Sequence, residues 1–178
     1  MEAIHLKYKT FWRRFAASII DVLVLSPLFL IEWLIFGTPD TGQEELAVFV
    51  INFLVFGFYS VNMTGLHGGT VGKKAMGLQV LDGNDEQSYI GFGRALKRDS
   101  PLLISEVLAI IYMLVSLENN PAGFDDQDPI IRNLDNLVAI WFIAELITML
   151  GNERRRAIHD ILANSVVVKQ VQEEAITQ

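Results

Sequence analysis

The stretch Leu46–Met63, LAVFVINFLVFGFYSVNM, runs for 18 residues without a charge, and its polar breaks are Asn52, Tyr59, Ser60 and Asn62. A helix of a soluble bundle would show a polar face recurring every three or four positions. A helix surrounded by hydrocarbon needs about 20 predominantly apolar residues, within a range of roughly 17–25, and this segment meets that requirement. Three more blocks repeat the pattern: Phe15–Phe36 with 22 residues, Pro101–Leu117 with 17, and Leu134–Leu150 with 17, the last carrying Asp135 and Asn136 at its start. The expected fold is therefore an all-α polytopic membrane protein with four transmembrane helices over about 15–36, 46–63, 101–117 and 134–150. The first block is too long for the apolar core of a signal peptide and holds Asp21 and Glu32, so it is expected to remain as a span.

Composition agrees with this expectation. Of 178 residues, 51% are hydrophobic and 20% charged, and the mean hydropathy is +0.34, which excludes intrinsic disorder. A net charge of −7 provides no basic field for nucleic acid. The chain has no cysteine, so disulfides and thiol chemistry are excluded, and His5, His67 and His159 are too scattered to build a metal centre. The run Gly68-Gly69-Thr70-Val71-Gly72-Lys73-Lys74 resembles a phosphate loop, but its glycine spacing is short and Lys74 occupies the position of the required hydroxyl. No cofactor is implied, and no nucleophile–base pair argues for an enzyme.

Basic residues give the orientation. Thirteen of the 14 lie in the N-terminal segment, the loop 65–98 and the tail, while the two remaining loops are acidic and hold only Arg132. Cytoplasmic loops carry the excess of Lys and Arg, so both termini and the loop 65–98 are expected in the cytoplasm of a prokaryotic inner-membrane protein. Lys73, Lys74, Arg94, Lys97, Arg98, Arg154, Arg155 and Arg156 form the membrane-surface basic set, placed to meet anionic headgroups of the lipid bilayer. Within this cytoplasmic substructure, Leu78–Leu81 followed by Asp82-Gly83 reads as a short strand entering a turn, with Val166–Val168 as its partner. Residues 151–168 form the structured tail of a single domain spanning 1–168, and 169–178 are expected to fray.

Several segments together resemble a known family. Arg14-Phe15-Ala16-Ala17-Ser18-Ile19-Ile20-Asp21 is similar to the signature that opens the first span of the RDD family, prokaryotic membrane proteins named for one arginine and two aspartates. The resemblance continues through Gly69–Val80 and Gly93–Leu96 and ends with Arg156–Val168, so it covers nearly the whole chain. It implies that Arg14 is the name-giving arginine and that Asp21 and Asp160 are the two aspartates. Asn164-Ser165 stands where the family tends to have Gly-Thr. Transport or ion exchange has been proposed for some members.

The acids inside the spans are the candidate functional groups. Arg14 and Asp21 are seven residues apart and share a helix face, but Asp21 lies about 10 Å further along the axis. Its expected partner is therefore another cation: Arg94, Lys97, Arg98, or one of Arg154 to Arg156. Counting helical rise from the cytoplasmic ends puts Glu106 and Glu145 at about the same depth as Asp21. Two readings stay open for the layer Asp21–Glu106–Glu145: a site for a proton or monovalent cation, or pairing with juxtamembrane arginines that fixes helix packing. Glu32 is expected to snorkel to water near the outer face, His159 to be a surface histidine, and Asp160 to anchor the tail. Four short helices enclose little volume, so a transporter would share its path within a homo-oligomer. The alternative is a non-catalytic assembly protein that binds a membrane-protein partner.

Overall fold

A computed structural model describes residues 7–118 and 128–170. Four long helices dominate it: α1 (Phe11–Phe36), α2 (Gly42–His67), α4 (Gly91–Ser116) and α5 (Pro129–Gly151). Each is long and apolar enough to cross a membrane. The short helices α3 (Val71–Ala75) and α6 (Ile158–Leu162) and the strands β1 (Leu78–Asp82) and β2 (Ser165–Lys169) complete the described chain. Residues such as Leu34, Phe58 and Ile147 are exposed along the long helices, as expected of surfaces made for lipid rather than water.

Helix ends follow local chemistry. Thr41 caps α2 by accepting from the Glu44 amide, with Glu44 and Glu45 in the first turn, where their charge meets the positive end of the helix dipole. Asp128 caps α5 in the same way, with Pro129 at the first helical position. The helices outrun the apolar blocks: α1, α2 and α4 have 26 residues each, about 39 Å of rise against a hydrocarbon core of about 30 Å.

The largest departure from the sequence expectation is the start of α4, which begins at Gly91 rather than Pro101 and carries the proline inside the helix. Proline cannot donate to the carbonyl four residues back. Here that carbonyl, Lys97 O, accepts instead from the Ser100 hydroxyl at 2.8 Å. The same substitution occurs in α1, where Pro27 leaves Leu23 O free and Ser26 donates to it at 2.8 Å.

α1 packs on α3, α2 runs along α4, and α4 touches α5 over a short stretch. At one end of the bundle β1 and β2 pair antiparallel, with Leu78 opposite Lys169, Val80 opposite Val167 and Asp82 opposite Ser165. Both faces of this ribbon are covered. Leu78, Val80 and Val167 pack with Val61, Ile90 and Ala95, and Leu81, Val166 and Val168 pack with Tyr8. The expected fraying from residue 169 is corrected at its first two positions, because Lys169 belongs to β2 and the Gln170 amide donates to Gly77 O at 2.8 Å. Residues 171–178 of that expectation, and most of the acidic loop before α5, lie outside the described residues.

Candidate functional site

Asp160 is the centre of the polar end of the molecule. It is completely buried on α6, and its carboxylate accepts from Arg14 Nη1 at 2.7 Å, Arg98 Nε at 3.1 Å, Ser165 Oγ at 3.2 Å and the Ala157 amide at 3.2 Å. Burial alone would raise its pKa, but the charges of Arg14 and Arg98 outweigh that and hold it well below the usual carboxylate range. The amide bond closes the first turn of α6 from within, as an N-terminal acid does. Arg14 also donates to Arg155 O at 3.1 Å, so the first long helix is tied to the chain between α5 and α6. Asp160 thereby holds the tail to the membrane helices. At Asn164, φ is +48°, a left-handed conformation that asparagine adopts more readily than most residues other than glycine. The Asn164-Ser165 departure from the family pattern is thus compatible with the turn.

From Asp160 the network continues through Arg98. Its Nη2 lies 2.7 Å from His159 Nε2, and His159 Nδ1 is bonded to Glu145. An arginine can only donate, so Nε2 accepts and the proton sits on Nδ1, facing the carboxylate. His159 is thus a half-buried bridge rather than the surface histidine expected. Glu145 pairs with this histidine and, among the described residues, with no arginine.

Asp21 does not find a cation. Its Oδ1 accepts from Tyr59 Oη at 2.7 Å and the Gly72 amide at 2.7 Å, and its Oδ2 accepts from Thr70 Oγ1 at 2.6 Å. Among the described residues, no ion pair links it to Arg94, Lys97, Arg98 or Arg154 to Arg156. The physical reason lies at the start of α3, whose first amides have no partner inside the helix and favour a negative charge. The contact demands glycine at position 72: a Cβ there would lie 2.0 Å from Ala17 O and 2.9 Å from Asp21 Cγ.

Other members of the basic set serve the substructure. Arg94 pairs with Asp82 and donates to Ala163 O at 3.0 Å, and this hydrogen-bonded pairing lowers the Asp82 pKa. Arg154 donates to Gly83 O at 3.0 Å, Arg155 to Leu150 O at 3.1 Å, and Arg156 to Asp160 O at 3.2 Å. Lys74 and Lys97 are exposed. Lys73 turns inward, and its Nζ makes no hydrogen bond or ion pair among the described residues. Burial pushes its ammonium down to about 8, with Arg98 adding to the effect and Asp99, Asp21 and Asp160 opposing it.

These groups border a cavity of about 820 Å³ between the four long helices. Arg14, Asp21, Lys73, Arg98, Asp99, Glu145 and His159 line its charged end, while Leu25, Phe29, Phe49, Phe53 and Phe56 line its apolar reach. The volume exceeds what four short helices suggest, because α1 leans on α3 instead of closing on α4 and α5. Asp21, Glu106 and Glu145 all face this one space, but each has its own surroundings: α3 for Asp21, His159 for Glu145, and no hydrogen bond or ion pair for Glu106 among the described residues. Glu32 corrects a further expectation. It is buried, 7% exposed, and accepts from Asn52 Nδ2 at 3.1 Å.

Four apolar helices around an internal cavity, closed at one end by a buried arginine–aspartate network, define a multi-pass membrane protein. The chain belongs to the RDD family, whose model matches residues 8–164. No curated protein and no solved structure matches it. Of the signature residues, Arg14 pairs with Asp160, the second aspartate, while Asp21 anchors α3. Sequence reasoning missed Tyr59, Thr70 and Gly72 as partners of Asp21. The available signal for Thr70 and Gly72 was the Gly-Thr-Val-Gly run that contains them, which reads as a loop until its amides are counted; Tyr59 carried none.

Proposed function

We propose that the chain is a small transport protein of the prokaryotic inner membrane that exchanges a monovalent cation for protons. The reading rests on the reach of the cavity. Its wall on α1 extends from Phe11 to Phe29, which is about 27 Å of helical rise against a hydrocarbon core of about 30 Å. The charged mouth supplies the Glu145–His159 pair, a carboxylate and an imidazole between which a proton can move. Glu106, seven residues beyond Asp99 on α4, stands about 10 Å further in as an acid with no committed partner. Basic segments orient the charged mouth towards the cytoplasm.

Cation-driven proton movement in proteoliposomes tests the activity. Wild type is expected to show flux, with Glu106→Gln and Glu145→Gln each reducing it; absence of flux in the wild type refutes the reading. Orientation is checked with single cysteines at the exposed positions Thr38, before α2, and Gln87, after β1. An impermeant thiol reagent applied to intact cells should label the first and spare the second, and the reverse result would invert the topology.

A further inference from the structure

We propose that Glu32 is a proton-binding site, holding its proton in a closed pair with Asn52. Glu32 lies four residues from the end of α1 and is 7% exposed. Its Oε2 accepts from Asn52 Nδ2 at 3.1 Å, and the same Nδ2 donates to Val48 O at 3.0 Å. Two acceptors for one amide nitrogen fix which way the asparagine faces. The other two oxygens of the pair, Glu32 Oε1 and Asn52 Oδ1, are both buried without a hydrogen-bond partner among the described residues. No lysine, arginine or histidine from α1, α2, α4 or α5 pairs with Glu32 among those residues, and Asn52 is the polar group that meets it.

An ionised carboxylate here would be an uncompensated charge inside the membrane, and it would leave two acceptors facing no donor. One proton on Oε1 removes both costs. The carboxyl and amide then exchange two hydrogen bonds, Nδ2–H to Oε2 and Oε1–H to Oδ1, and with Nδ2–H to Val48 O every N–H and O–H of the pair is donated. Asn52 also lines the apolar end of the cavity, so Glu32 stands one side chain beyond it, about 6 Å from the far end of α1. A proton arriving from that side binds Oε1; its release leaves a carboxylate next to the cavity. Proton holding by Glu32 is independent of the transport reading, whereas a role as the coupling group depends on it.

Infrared difference spectra of the purified full-length chain, recorded between neutral and alkaline pH, test the site. A protonated-carboxyl band is expected in the wild type and in Glu106→Gln, and is expected to vanish completely in Glu32→Gln. Glutamine can form the same two-bond ring, so Glu32→Gln should melt like the wild type at neutral pH while Glu32→Ala melts lower. A band unchanged in Glu32→Gln, or a Glu32→Gln protein as unstable as Glu32→Ala, overturns the proposal. In proteoliposomes Glu32→Gln should abolish proton-coupled flux; undiminished flux would refute the coupling role. A wild type with the band but without flux would overturn the transport reading and leave the proton site standing.

Discussion

Replacing Asp160 by asparagine is the most demanding test of the buried network. The substitution keeps the shape and removes the charge that faces Arg14, whose side chain is 12% exposed, and Arg98, whose side chain is 5% exposed. Arg98 retains Asp99 at 3.6 Å and so keeps part of its compensation. Among the described residues, Arg14 keeps Thr10 Oγ1 and Arg155 O. Leaving one partner of a buried pair uncompensated costs about 3–5 kcal/mol. For a chain of this length each kcal/mol lowers the melting temperature by roughly 2–4 °C, so the variant should melt about 6–20 °C below the wild type in the same detergent. Arg14→Met should partly rescue Asp160→Asn, with a coupling of at least about 0.5 kcal/mol in the double-mutant cycle. An acid titration gives a second readout. Because the folded pKa of Asp160 lies well below its ordinary value, its contribution is complete above about pH 4 and disappears as pH falls through the folded value. Asp160→Asn should therefore flatten the acid limb of the stability curve. An unchanged melting temperature, or strictly additive single variants, would refute the network as a source of stability.

Asp21 should behave differently. Its donors are two hydroxyls and an amide, so Asp21→Asn, which can still accept on its carbonyl and donate to Thr70, should cost about 1 kcal/mol or less. Asp21→Ala, which strands the Gly72 amide, should cost about 1–3 kcal/mol for that group alone; equal losses on thermal unfolding would contradict the assignment. Gly72→Ala forces a Cβ onto Ala17 O, so a variant that purifies and melts like the wild type would be incompatible with the close approach of α3 to α1. Lys73 titrates at about 8 in the folded chain against 10.5 for the free side chain. The unfolded chain binds the extra proton between those values, so the Lys73 contribution rises with pH through that window. Melting curves from pH 7 to about 10 should move in favour of wild type relative to Lys73→Gln, and parallel curves would show that burial of Lys73 is not felt.

Much of the architecture was legible because hydrocarbon imposes a one-dimensional rule. A long uncharged run such as Leu46–Met63 has few alternatives to a spanning helix, and pairing of Val166–Val168 with Leu78–Leu81 followed from β-branched residues beside a turn. Helix ends were less legible. Gly91–Ser100 carries four charges, which conceal a helix from any reading based on apolar length, and Pro101 looks like a beginning until Ser100 is seen to replace its missing hydrogen bond. The depth of the intramembrane acids could be counted from sequence, but their partners could not. Rise along a helix fixes height and says nothing about which neighbour faces a side chain. Asp21 illustrates the gap, since its donors are a tyrosine on another helix, the Thr70 hydroxyl and one backbone amide that carries no sequence signature. Glu32 was misjudged for a related reason: its nearness to the helix end suggested water, whereas Asn52 on the adjoining helix supplies the partner.

The two Ser–Pro pairs have a mechanical consequence. Each of the two helices that carries one lines the cavity and lacks one rung of its hydrogen-bond ladder within its length. A side-chain hydroxyl spans the gap, and it can rotate away and return without breaking a backbone bond on either side. Such positions are where helices bend sharply. Pro27 and Pro101 are therefore the positions at which these two helices resist bending least, while Asp160 clamps their common end through Arg14 and Arg98. Bending there would change the width of the apolar reach and leave the charged mouth in place, so opening on one side need not disturb the network that closes the other.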